Sequence, residues 1–379
     1  MRRMTRAKVL LPLALLLSLA PVASAQTPTD ARGALASFPD SQAVLYVNAR
    51  RIVNELLPRV MPAADYQKMV DSAQKGGFDA RDLDYAAVAI RFASPAPDNG
   101  LPEFLVVVRG GFDANALLTI GRVAAGSQSL KTRQETYGSK TLDIFDTEGV
   151  SKMIADSNDG RGAEGGTRKP NPYPEIAVTT LDSRTLVAGV PAYVKAAIDA
   201  AAGQGRLNPS TLELAAREPQ ALWSLTVVIP PALTDYIHKA GVPANEELDK
   251  TLAWVKQISV SQGMDAVDVT FQAAILTDQP QHASALNGLV RMGLVGLQTA
   301  LADEAAKKNS KDASDARNAL AVIKTVVNRA EGSTLVISAA VPVSTVAALV
   351  RKQMTKPPAT TAKPRTTRRR LRRRPTRTH

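Results

Sequence analysis

Apolar and polar positions along this chain fall into short runs, and the order of the runs repeats. After Pro39, Gln42–Val47 (QAVLYV) is rich enough in β-formers to predict a strand, and Arg50–Val60 then reads as a helix. Two β-rich runs follow, Ala86–Phe92 and Glu103–Arg109. Asp113 stands where a helix N-cap is expected, because a carboxylate there accepts the orphan amides of a first turn. Further on, Ser183–Val187 leads to Val190-Pro191 and a helix that Gly203 should stop. Proline is pre-set for a first helical turn, and glycine for the position after a last one.

The second half of the chain repeats this order. After Pro219 come Gln220–Leu225 (QALWSL), a helix-like stretch Pro231–Lys239, and the strand-like runs Gln257–Gln262 and Val267–Leu276. Asp278 takes the capping place, and Ser333–Val336 leads to Val341-Pro342 and a last helix. The pattern predicts an α+β fold made by tandem duplication of a strand-helix-strand-strand-helix-strands-helix unit. Mostly antiparallel sheets with helices on one face are expected. The boundaries that follow are a first repeat at 26–210 and a second at 211–355. The halves differ in their insertions, a loop at Asp156–Pro174 and a helical stretch from Gln281 to about Asn328. In that stretch Leu286, Leu289, Met292, Leu297, Leu301, Leu320, Ile323 and Val327 recur at helical spacing, which predicts a stripe buried in the core.

The opening strand, Pro39-Asp40-Ser41-Gln42-Ala43-Val44-Leu45-Tyr46-Val47, resembles that of uncharacterised bacterial exported proteins, which begin with a Pro-acidic-x-x-Ala-x-x-Tyr-Val strand. The resemblance covers this stretch and the strand–helix rhythm, and it implies neither catalytic residues nor a substrate.

The ends of the chain change the picture. Residues 1–25 read as a cleavable signal peptide. Arg2, Arg3, Arg6 and Lys8 precede an apolar run, Val9–Val22, and Ala23-Ser24-Ala25 supplies the small-x-small cleavage pattern. The run is short for a bilayer span and carries Pro12 and Pro21. Residues around Arg2-Arg3 do not fit a twin-arginine signal, and no Cys follows the run to make a lipoprotein. At the other end, residues 356–379 hold Arg, Lys, Pro and Thr with one core-forming residue, Leu371, and are expected to be disordered. The whole chain carries +12, but four of the positive charges lie in the signal and ten in the tail, which leaves the body at 26–355 near −2. The basicity therefore belongs to the ends, not to the folded body.

Composition removes several chemistries. With no Cys there are no disulfides, thiolate nucleophiles or thiolate-bound metals, and the three His are far apart in sequence. No cofactor, metal or catalytic residue is expected. Gly160–Gly165 spells G-x-G-x-x-G, yet the Pro-rich Thr167–Pro174 that follows cannot be the helix a dinucleotide site needs. Asp156–Gly160 fails the spacing of a calcium loop. Asp235 and His238 share a helix face without a nucleophile elbow beside them. Asp79, Asp82 and Asp84 crowd one turn, where a cation site and ordinary turn chemistry are both conceivable and the turn is favoured.

The tail carries the remaining bias. Arg365, Arg368, Arg369, Arg370, Arg372, Arg373, Arg374 and Arg377 form an expected site for anionic polymers. Export makes envelope phosphates (phospholipid, lipopolysaccharide or cell-wall polymers) the expected partners rather than nucleic acid. The reading is an exported, non-enzymatic cell-envelope protein in the periplasm, envelope or medium, a structural or interaction module tethered by its tail. A small-molecule or lipid-binding protein with a cleft between the repeats is the alternative. A hydrolase using carboxylates alone is a third reading, for which no spacing selects a pair.

Overall fold

The computed structural model describes residues 30–75, 78–92, 102–127, 130–147, 173–229, 250, 253–307 and 313–354. A short helix, α1 (Ala31–Leu35), is capped by the Asp30 carboxylate and leads into β1 (Ala43–Val47). Helix α2 then runs through Ala49–Arg51, a π turn at Ile52–Leu56 and Leu57–Val60. The π turn precedes Pro58, which has no N–H to give the carbonyl four residues back. Helix α3 (Ala63–Lys75) and a 3₁₀ turn (Ala80–Asp82) lead to β2 (Leu83–Arg91) and β3 (Glu103–Gly110).

Next come α4 (Ala114–Ser127), β4 (Thr132–Tyr137), β5 (Lys140–Asp146), β6 (Glu175–Asp182) and β7 (Thr185–Gly189). Asp113 caps α4 as expected, its Oδ1 accepting the N–H groups of Asn115 and Ala116 at 2.9 and 3.2 Å. Helix α5 (Pro191–Ala201) starts on its proline and stops before Gly203, whose φ of +102° is the left-handed value that glycine adopts without strain. A connecting helix, α6 (Pro209–Ala215), precedes β8 (Ala221–Val228), β9 (Val255–Met264) and β10 (Asp268–Thr277). The chain continues as α7 (Pro280–Ala306), α8 (Ala313–Ile323), β11 (Val327–Glu331), β12 (Thr334–Pro342) and α9 (Val343–Met354). Pro342 closes a strand here instead of opening the last helix.

The strands form one antiparallel sheet of twelve, in the order β11-β12-β10-β9-β8-β1-β2-β3-β7-β6-β5-β4. The fold is thus a mixed α/β structure on a single large sheet, not on separate sheets. Strand β1 lies between β2 and β8, with Tyr46 opposite Ala87 on one side and Ser224 on the other. Gly189 is needed where β7 meets β3, since a Cβ there would lie 2.3 Å from the Phe104 carbonyl oxygen.

Helices cover both faces, which corrects the one-face expectation. On one face α1, α5 and α6 pack over Tyr46, Leu105, Val107, Leu142, Ile144 and Val187, with Tyr193 and Val194 of α5 fully buried. Each large apolar side chain so enclosed contributes about 1.5–3 kcal/mol. Val44 pairs with Thr226 and Thr226 with Ser259, so Ile258 points to the opposite face. There Leu286 and Val290 of α7 cover Ile258, Ile275 and Ile337. The cause is the length of the sheet: twelve strands present apolar residues on both sides, and one helical layer leaves half of them wet.

Where β8 and β9 meet α6 the buried face is polar. Ser224 Oγ donates to the Ala215 carbonyl at 2.9 Å and Ser259 Oγ to that of Leu214 at 3.1 Å. These are the last carbonyls of α6, which have no partner within the helix. Thr226 adds a 3.0 Å bond to Ser259, and Gln257 Nε2 reaches Ser210 Oγ at 3.1 Å.

Candidate functional site

The long helix α7 is the largest departure from the sequence reading. Only its first turns are buried, through Ala283 and Leu286. Beyond them Leu289 is 52% exposed, Met292 66%, Val295 58% and Leu297 44%. A helix of this length spans about 40 Å at ~1.5 Å per residue, more than the few strands beneath its start can cover. Its base is fixed by Asn328, whose amide donates to Asn287 Oδ1 at 2.5 Å. Farther along it packs on α8, and Leu301, Leu320 and Ile323 are half-buried. The stripe expected in the core is therefore largely a surface, and Val327 at the sheet edge is exposed as well.

Asp278 does not cap α7. Gln279 holds the cap position, and Asp278 Oδ1 instead meets His282 Nδ1 at 2.6 Å. The His282 bond holds the Asp278 carboxyl below the ordinary carboxylate range. The His282 ring stacks on Trp254 at 4.2 Å, so the imidazole is held by a structural contact on each side.

The acidic turn resolves into separate structural roles. Asp79 caps the 3₁₀ turn and takes the Arg81 guanidinium, whose hydrogen bonds hold its carboxyl far below the ordinary range. The Asp82 backbone carbonyl accepts the Gly111 N–H at 2.7 Å. Asp84 is fully buried at the foot of β2 between two guanidiniums, Arg50 on Oδ1 and Arg184 on Oδ2 at 2.9 Å. Arg184 Nε also donates to the Gly110 carbonyl at 2.8 Å, tying the starts of β2 and β7 to the end of β3. Among the described residues no group of three or more His, Cys, Asp or Glu is placed to hold a metal ion. Sequence reasoning missed the burial of Asp84; its one signal was an acidic residue inside an apolar strand run.

A cleft of about 570 Å³ opens between α1, α6, the end of β10 and the start of β12. Arg32, Glu213 and Arg217 line it together with Leu214, Leu276 and Thr334. Its walls mix charge with small apolar surface, unlike a lipid cavity. Arg217 is held by Glu331 at 2.6 Å.

Several sequence candidates lie outside the described residues: Gly160–Gly165, Asp156–Gly160, Asp235, His238, and the tail residues Arg365, Arg368, Arg369, Arg370, Arg372, Arg373, Arg374 and Arg377. Among the described residues no helix is long and apolar enough to cross a membrane.

No protein-family model matches the chain, and no curated protein does. Among solved structures, crystal form III of TP0453 aligns with a TM-score of 0.38 and 10% identity, over 84% of this chain and 97% of that one. Crystal form IV of TP0453 gives 0.38 and 11% over 83% and 95%, and crystal form I gives 0.36 and 11% over 84% and 96%. Likeness at this level carries no functional argument.

Proposed function

We propose that the chain is an exported, non-enzymatic envelope protein whose body is an interaction module and whose basic tail tethers it to anionic envelope surface. The observation that carries this reading is the exposed apolar stripe of α7, Leu289, Met292 and Val295. The root of the tail supports it. Helix α9, which leads into the tail, packs Val343 and Val346 on Met264 and Val269, on the face of the sheet that α7 also covers. Ten basic residues at about 1 kcal/mol each near an anionic surface suffice for a tether.

The duplication is part of the same proposal. Outward from the centre the sheet reads β1-β2-β3-β7-β6 one way and β8-β9-β10-β12-β11 the other. The sequence match that sets Gln42 on Gln220 sets Tyr46 on Ser224, and these two residues are paired across the β1–β8 seam. A two-fold relation between duplicated halves accounts for both facts, with the β4–β5 hairpin as an addition to one edge.

Fractionation of cells that express the whole chain and a chain ending at residue 355 tests the tether. Retention by the envelope should fall on truncation, and in the whole chain it should fall with added salt. Equal retention of both forms would sink it. The 570 Å³ cleft favours a second reading, small-molecule binding between the halves. Loss of retention on truncation with no change on substituting Arg32 or Glu213 separates the two.

A further inference from the structure

On the face covered by α5, a second pocket of about 310 Å³ lies between the Ser37–Pro39 loop, the start of β7 and the end of α5. Its floor is apolar, with Phe38, Val107, Leu181 and Ala197. Its lip is not. Along β3 the side chains on this face are Leu105, Val107 and then Arg109, so a guanidinium ends an otherwise apolar row. Arg109 Nη1 donates to Asp182 Oδ2 at 2.7 Å and to Thr185 Oγ1 at 2.6 Å. The other edge of the guanidinium, Nε with Nη2, makes no hydrogen bond among the described residues, and Nε is buried. A buried donor without an acceptor is costly, and a fork of two parallel N–H groups matches the two oxygens of one carboxylate. The Tyr85 hydroxyl shares the pocket and also has no hydrogen-bond partner among the described residues. Burial pushes its pKa up to about 12, so it remains a neutral donor in ordinary buffers.

We propose that this pocket binds a small monocarboxylate with a short apolar body, its carboxylate on the Nε–Nη2 edge of Arg109 and its chain on Phe38, Val107 and Ala197. Asp182 sets the strength of the site from the far edge of the same guanidinium. It holds the guanidinium in place and offsets part of its charge. The role is independent of the tether and of α7, since pocket and stripe lie on opposite faces of the sheet.

Isothermal titration of the purified protein with hexanoate, hexanol and inorganic phosphate tests it. Hexanoate should bind and hexanol should bind at least roughly tenfold more weakly, the loss expected for a charge-assisted pair. Phosphate, which has no chain for the floor, should be weaker than hexanoate. Arg109→Met should weaken hexanoate by roughly tenfold or more, and Arg109→Lys, which keeps the charge without the fork, should weaken it too. Asp182→Asn should strengthen binding several-fold, a direction that mere loss of packing would not give. Should the Arg109 variants fail to fold, Ala201→Phe reports separately, because Ala201 is exposed at the rim and a phenyl group there closes the mouth. No heat with hexanoate, equal binding of hexanol, or unchanged affinity in Ala201→Phe would each overturn the proposal.

Discussion

Asp84→Asn is the sharpest test of how the sheet is held at its end. Asp84 is fully buried and takes one guanidinium on each oxygen, Arg50 and Arg184. Asparagine keeps the shape but removes the charge and turns an NH₂ group toward one guanidinium. Each charge-assisted bond is worth about 1.5–3 kcal/mol when shielded. Arg50 and Arg184 are 48% and 38% exposed, so solvent screens both and takes up their charge when the carboxylate is gone. That lowers the total from the sum of two shielded bonds to about 2–4 kcal/mol. It stays above the value of a surface pair because the donors must still face a buried amide. At an unfolding entropy of about 2.1 cal/mol/K per residue, the loss corresponds to a fall in Tm of about 3–6 °C. Urea unfolding followed by far-UV circular dichroism reads it as a shift of midpoint at unchanged slope. Asp79→Asn is the control: it removes an exposed pair with Arg81, and should shift the midpoint much less. If the two variants lose the same stability, the burial argument for Asp84 is wrong.

Gly189→Ala places a methyl group 2.3 Å from the Phe104 carbonyl; it should separate β3 from β7, cost more than about 3 kcal/mol and deprotect the amides of both strands in hydrogen exchange. Burial raises Tyr85 and Tyr193 to about 12. These phenols are held neutral in the fold but ionise near pH 10 when unfolded, so the stability they contribute is whole below pH 10 and is lost as pH rises toward 12. Denaturation against pH should show that decline, and Tyr85→Phe with Tyr193→Phe should lessen it, leaving the part due to Tyr46, which burial also holds well above its ordinary range. A chain cut at residue 210 should not yield a stable first half, because β1 would lose β8 and become an open edge; cooperative unfolding of that fragment would contradict this.

The strand runs were legible because period-2 alternation is local: β3 and β9 contain the marked runs, and β1, β2, β8 and β10 contain theirs but for one end residue each. Caps were legible where the chemistry is local as well. Asp113 and Gly203 act as read. Asp278 does not, because His282 one turn on competes for its carboxylate. The β4–β5 hairpin was missed, since its outer strand is mostly polar and exposed. The fate of the α7 stripe was beyond the sequence for a different reason. Helical spacing says which residues share a face, and only the sheet's extent says whether anything lies beneath it. Asp84 and Arg109 illustrate the same limit, as their partners Arg184, Asp182 and Thr185 stand about seventy to a hundred positions away.

The polar groups in this body divide by whether the fold already uses them. The serines and threonines of β8 and β9 hold the end of α6, and the carboxylate of Asp84 holds three strands together. Removing any of these should register as stability. The α7 stripe and the unpaired edge of Arg109 are not accounted for by such packing, and their chemistry differs. The α7 stripe is long and apolar, which suits a broad surface and gives no directional hydrogen bond. The unpaired edge of Arg109 is small and directional, beside a pocket too small for a macromolecule. On the two proposals made above, the body meets the envelope through the first and a small carboxylate through the second. The two contacts should then be separable by substitution, since they lie on opposite faces of one sheet.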